Sequence, residues 1–226
     1  MAIARRRSRL LTSVQNRLLE HFVAGTPARS AADLVGVNRN TATLFYRKLR
    51  ETIAEHIALE APLAGEVEVD ESYFGGRRKG KRGRGAGGKV AVFGLLKRRG
   101  RVHAVMIPNV RSGTLMPIMQ RKIRPHSVVY SDAFHSYDVL DVSEFHHRRI
   151  DHGKGFGQGR THINGIENFW NQAKRHLRRY NGISRQYFPL FLAECEWRFN
   201  HGSPRSLLTT LAKWANIPPN THRTHA

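Results

Sequence analysis

The stretch that most constrains this chain runs from His162 to Arg179, HINGIENFWNQAKRHLRR. Ile166, Trp170, Ala173 and Leu177 recur at i, i+4, i+7 and i+11, the spacing of one apolar helical stripe. Glu167, Asn171, Lys174 and Arg178 repeat that spacing one residue later. One residue turns a helix by about 100°, so the polar stripe lies beside the buried one. A lone carboxylate therefore stands at the edge of a buried face, two turns before a lysine. Such a carboxylate suits sharing a cation with other acids, and Lys174, Arg178 and Arg179 suit phosphates. The same helix also reads as an ordinary amphipathic one, with Glu167 paired to exposed bases, so the meaning of the stretch depends on the rest of the chain.

The balance of charge points the same way. Of 226 residues, 38 are Lys or Arg and 17 Asp or Glu, a net charge of +21, which calls for a polyanionic partner. Nucleic acid is the commonest, and an anionic membrane surface is the alternative. No apolar run is long enough to span a membrane, and the first residues lack the apolar core of a signal peptide, so a cytoplasmic, nucleoid-associated protein is expected. The single cysteine, Cys195, excludes an internal disulfide and a cysteine-rich zinc module, and its apolar surroundings predict a small core residue.

Residues 8–60 read as helical. Leu11, Val14, Leu18, Leu19 and Phe22 form a stripe, with Thr12 or Ser13 as N-cap. Gly25-Thr26-Pro27 breaks it, Ser30 caps a short helix ended by Gly36, and a longer helix carries Leu44, Phe45, Leu49, Ile53 and Ile57. Short helix, glycine turn and longer helix is the plan of a helix-turn-helix module. In that plan the start of the last helix reaches base edges in a major groove, which nominates Arg39, Asn40, Thr41, Thr43 and Arg47 for DNA binding.

Beyond Ala61-Pro62-Leu63-Ala64-Gly65 the pattern changes to strands. Residues 67–74 alternate, with Val67, Val69 and Glu71 on one face and Glu68, Asp70 and Ser72 on the other. Residues 77–89 are nearly all Arg, Lys and Gly and cannot bury a core of their own. They read as a flexible basic loop, with Lys79, Lys81, Arg82 and Arg84 free to lie along a phosphate backbone. Residues 90–96 and 102–107 form a hairpin, 114–123 a helix with Leu115, Ile118, Met119 and Ile123 inward, and 127–132 a buried strand ending on Asp132. A short strand at 145–150, a Gly-rich basic loop, the helix described first and a long helix at 187–199 follow. From 203 the chain reads as an irregular tail, with a helical turn or two at 207–214.

The fold class expected is α/β, a mixed sheet flanked by helices and preceded by the all-α module. In a three-stranded meander followed by a crossover, the first strand is central and the fourth lies beside it. Asp70 and Asp132 then become neighbours, and a helix laid across the sheet brings Glu167 to them. Three oxygen ligands with open positions suit two Mg²⁺ or Mn²⁺ ions and in-line phosphodiester displacement. His135, His146, His147, His152 and His162 offer nitrogen ligands as a rival, but their spacing matches no compact zinc motif. Asp138, Asp141 and Asp151 read as caps or loop charges.

The runs VDESYFGG at 69–76, YSD at 130–132 and HINGIENFW at 162–170 together resemble the DDE-type transposases of small bacterial insertion sequences. The likeness is strongest to the branch marked by a DESYFGG-like first motif and an NGIENFW-like third, and it covers roughly residues 65–202. It implies an RNase H-like catalytic domain with Asp70, Asp132 and Glu167 as the catalytic, metal-binding triad. The family's basic residue seven positions after the glutamate falls on Lys174. Asp132 and Glu167 are 35 positions apart (167 − 132), close to the family's usual spacing. The resemblance further implies double-stranded DNA as partner, both terminal inverted repeats and target, bound by a homodimer or larger assembly. A non-catalytic helix-turn-helix regulator and an RNase H-like nuclease are the alternative readings.

Overall fold

In the computed structural model the described residues are 8–75, 89–132, 135–150, 163–180 and 182–219. They form two compact units, one within Ile57–Asn200 and one from the described parts of Met1–His56 and His201–Ala226. None of the described helices is long and apolar enough to cross a membrane.

The larger unit is a five-stranded mixed sheet of order β3-β2-β1-β4-β5, built from β1 (Glu66–Phe74), β2 (Val90–Lys97), β3 (Val102–Ile107), β4 (Val128–Asp132) and β5 (His146–Ile150). β1, β2 and β3 pair antiparallel, whereas β1–β4 and β4–β5 pair parallel. A meander whose first strand turns central through a crossover is the RNase H-like arrangement expected. Alternation along β1 divides it as the sequence predicts. Val67 and Val69 join a core with Leu115 and Met119 of α1 (Ser112–Lys122). Glu68 and Asp70 point to the opposite face, which α2 (Asn164–Leu177) covers with α3 (Phe188–His201) behind it.

Two glycines let α2 lie low on the sheet. A Cβ on Gly94 of β2 would stand 2.6 Å from the Trp170 ring and 2.9 Å from Ile166, and one on Gly165 would stand 2.4 Å from Leu96. At each position something would have to shift, and at Gly94 it is the rigid Trp170 ring, so both positions are seats for close approach. Gly94 pairs with Asp70 across the β1–β2 ladder, so Trp170 lands beside that carboxylate.

The outer edge of β3 is closed by side chains of α3. Asn200 accepts from the Val102 N–H at 2.8 Å and donates to the Val102 carbonyl at 3.0 Å, while Glu196 accepts from the Ala104 N–H at 2.9 Å. Free ladder groups on an edge invite pairing with other chains, and here three are occupied. Cys195 of α3 is buried, as its apolar surroundings predict.

The smaller unit contains α4 (Thr12–Val23), α5 (Ala28–Val35), α6 (Arg39–Ala58, its last two residues belonging to the larger unit) and α7 (Pro204–Trp214). Phe22 and Tyr46 meet edge to face at 5.0 Å within its core. Neither Thr12 nor Ser13 caps α4, which begins at Thr12 after Leu11, and Ser30 lies inside α5. Gly36 closes α5 at φ 79, a conformation that favours glycine. The segment from 203 is more regular than its sequence suggests. Ser203 caps α7 through the Ser206 N–H, Pro204 occupies its first turn, and Trp214 stacks on His56 at 4.3 Å.

Candidate active site

Asp70 sits in the middle of β1 and Asp132 at the end of β4. Their strands pair in parallel with Glu66 opposite Val128 and Glu68 opposite Tyr130. The paired residues end there, two positions short of both acids, and the Asp132 charge reaches the Asp70 carboxyl. Burial drives the Asp70 carboxyl up to about 7, the neighbouring charge of Glu71 adds to this, and Asp132 contributes further. The Trp170 indole N–H, which donates to Asp70 Oδ2 at 2.9 Å, works against the rise. The structure thus brings two of the three expected acids close enough to interact, in a half-buried place.

Glu167 is not gathered with them. It lies in the first turn of α2, exposed, three residues before Trp170. Among the described residues, no three His, Cys, Asp or Glu side chains stand as a group ready to hold a metal ion. The donor set nevertheless suits a hard divalent cation, because Asp70 and Asp132 are both carboxylate oxygen donors. Lys174 projects from the same exposed stripe of α2 as Glu167, its ammonium 5.7 Å from the centre of the Phe74 ring, with Arg178 one turn further.

Several residues around the site had no role assigned from the sequence. Glu68, which alternation only places on the Asp70 face, is buried and accepts the Ile166 N–H at 2.9 Å. The residue before α2, Ile163, offers no capping side chain, so a carboxylate from the sheet takes its place and meets the positive end of the helix. Arg98 holds the other oxygen of Glu68 at 3.2 Å and lies over the Tyr130 ring at 3.6 Å. A carboxylate in mid-strand on the Asp70 face was the available signal, but nothing local announces its partner a hundred residues on.

Asp141 is also more than a loop charge. His147 Nδ1 meets Asp141 Oδ1 at 2.5 Å, and its Nε2 meets Ser131 Oγ at 2.8 Å. Ser131 Oγ in turn reaches the Asp132 carbonyl at 2.9 Å. The hydrogen bond from His147 holds the Asp141 carboxyl below the usual aspartate range, helped by Arg149. A chain of polar contacts thus braces the strand end that carries Asp132. On the other face, Tyr137 donates to Glu71 at 2.8 Å, and burial followed by that carboxylate pushes its phenol well above the usual range.

The nominated DNA-binding residues of α6 lie mostly exposed. Arg39 forms a two-pronged pair with Asp33 at 3.2 Å, which raises its pKa, and Arg47 meets Glu51 at 2.9 Å. Asn40 is exposed, Thr41 partly so, and the Thr43 hydroxyl donates back to the Arg39 carbonyl at 2.8 Å. Exposed ion pairs of this kind are weak and exchange readily for other anions. Lys79, Lys81, Arg82 and Arg84, with His152 and His162, lie outside the described residues.

A mixed sheet with aspartates on adjacent strands and an acid- and base-bearing helix across it frames the candidate site. Residues 62–200 match the ISXO2-like transposase domain family, and the chain belongs to that family. A transposase-like protein of Haemophilus influenzae is 54% identical over 111 residues, covering 49% of this chain and 90% of its own. A protein of the transposable element ISH50 of Halobacterium salinarum is 29% identical over 174 residues, covering 68% of this chain and 58% of its own. A solved chain of the Mos1 strand transfer complex superposes at a TM-score of 0.39 with 12% identity, over 96% of this chain and 79% of that one. An overlap that loose bears no weight on function.

Proposed function

We propose that the chain is a DNA transposase that binds the terminal inverted repeats of an insertion sequence, cuts phosphodiesters at their ends and joins the freed 3′-hydroxyls to target DNA. The observation that carries this reading is that Asp70 and Asp132, on adjacent strands, stand close enough to interact, with the Asp70 carboxyl pushed up to about 7 by burial and acidic neighbours. A site that accumulates negative charge in a half-buried place has a use for cations.

Asp70, Asp132 and Glu167 would hold two Mg²⁺ or Mn²⁺ ions, which when bound activate the attacking oxygen and stabilise the leaving one. Glu167 joins by a swing of its exposed side chain from the first turn of α2. Trp170 fixes the orientation of Asp70, and Glu68 fixes the height of α2, hence of Glu167. Lys174 meets the phosphate beside the cut, and Arg178 the next along the strand. Arg39, Asn40, Thr41, Thr43 and Arg47 read the repeats from a helix-turn-helix module at 8–60. Lys79, Lys81, Arg82 and Arg84 follow the phosphate backbone, and two or more copies assemble on DNA in the nucleoid.

Strand transfer on labelled DNA carrying the ends of the element, with Mg²⁺, tests the reading. Asp132→Asn is expected to lower it by more than about 100-fold, beyond what loss of a supporting residue outside the metal shell costs. Activity at the wild-type level in that variant would remove Asp132 from the site. Short inverted repeats bounded by a small direct duplication around the gene would support the same class.

A further inference from the structure

The face of α2 that carries Lys174 and Arg178 borders a cavity of about 810 Å³ at the end of β1. Its floor is apolar and buried, formed by Phe74, Leu177 and Phe188, with the Phe74 and Phe188 rings 5.6 Å apart. The Tyr180 ring stands at one side, propped edge to face on Phe191 at 4.9 Å. Lys174, Arg178 and Arg185 are exposed around it, and no Asp or Glu is among the described residues that line it.

That combination selects a ligand. An aromatic floor alone would suit any apolar body, and three cations alone would suit any anion. The two together suit a flat apolar ring attached to phosphates. The cavity shares a strand with the candidate active site. Phe74 lies four residues beyond Asp70 on the same strand, about 13 Å at the rise of a strand. About four stacked nucleotides at 3.4 Å each span that distance, and fewer unstacked ones.

We propose that this groove receives an unstacked nucleobase of the DNA strand being processed, with the flanking phosphates held by Arg178 and Arg185 and Lys174 bridging toward the cut. The inference rests on the proposed action on DNA and adds a subsite to it. Taking a base out of a duplex costs least where pairing is already broken, so the groove favours an end whose last pairs are open. The full chain is therefore titrated by fluorescence anisotropy with a blunt duplex and with the same duplex whose terminal pairs are replaced by thymine–thymine mismatches. The open-ended duplex is expected to bind roughly tenfold tighter, within the range that stacking of a base on aromatic side chains supplies.

Ile183→Asp places a carboxylate at the edge of the apolar floor and is expected to bring the ratio of the two affinities to about one. Arg185→Glu, at the exposed rim, is expected to lower the ratio without disturbing the floor, and so serves if the first variant folds poorly. Equal affinity of the wild-type chain for both duplexes, or a preference that survives in a folded Ile183→Asp and in Arg185→Glu, would overturn the subsite alone. Failure to bind either duplex would overturn the DNA reading and the subsite with it.

Discussion

Asp70 carries the clearest physical signature of the site. An ordinary aspartate ionises near 3.8, as it does in the unfolded chain, whereas folding raises this one to about 7. Between those values the folded state holds a proton that the unfolded state has lost. Stability therefore falls as pH rises through that window, and the full penalty is present above it. Asp70→Asn keeps an oxygen for the Trp170 indole and removes the charge. In the presence of a chelator its stabilising effect should grow from pH 4 to pH 7 and then level off, measured by denaturant unfolding. An equal effect at pH 5 and pH 8 would contradict the burial argument. Glu68 makes the opposite case, a buried acid fully used. Glu68→Ala strands the Ile166 N–H and is expected to cost about 2 to 3 kcal/mol, while Glu68→Gln, which can still accept that N–H, should cost less.

At the scale of elements, the site depends on how low α2 lies on the sheet. Its stripe of Ile166, Trp170, Ala173 and Leu177 is readable from spacing alone, and all four residues are buried as that spacing predicts. The spacing does not reveal that Gly94 is the floor under Trp170. Gly94→Ala sets a methyl group against a rigid ring, so the ring or the strand must move. The expected cost is about 1 to 3 kcal/mol in thermal unfolding. An alanine as stable as the wild type, with the Trp170 to Asp70 hydrogen bond intact in a crystal structure, would refute the close fit. The strands of the sheet were legible because alternation and apolar runs are local. α7 is longer than the turn or two its apolar spacing suggests, and its signals, Ser203 as cap and Pro204 in the first turn, are local as well. The buried Glu194 and Glu196 of α3 were not legible, since their partners His176, Arg198, His103 and Ala104 are supplied mostly by other elements.

For the whole molecule, the dominant quantity is the net charge of +21. Each phosphate neutralised releases condensed counterions, so DNA affinity should fall linearly with the logarithm of salt concentration. Replacing Lys174 by Gln is expected to weaken binding alike on all sequences and to lessen the slope by about one. A slope unchanged in that variant would mean that Lys174 does not touch phosphate.

The residues by themselves determined what is local or summed: the charge, the periods of helix and strand, the motifs around Asp70, Asp132 and Glu167, and the basic stripe of α2. Tertiary structure alone decided which distant groups meet. The parallel pairing of β1 with β4 brought Asp132 within reach of Asp70, a glycine seat delivered Trp170 to Asp70, and Glu68 reached across the sheet to start a helix. Periodicity records which face of an element avoids water. It carries no information about the partner that covers that face, because hydrophobic burial has no direction, whereas hydrogen bonds and close packing do.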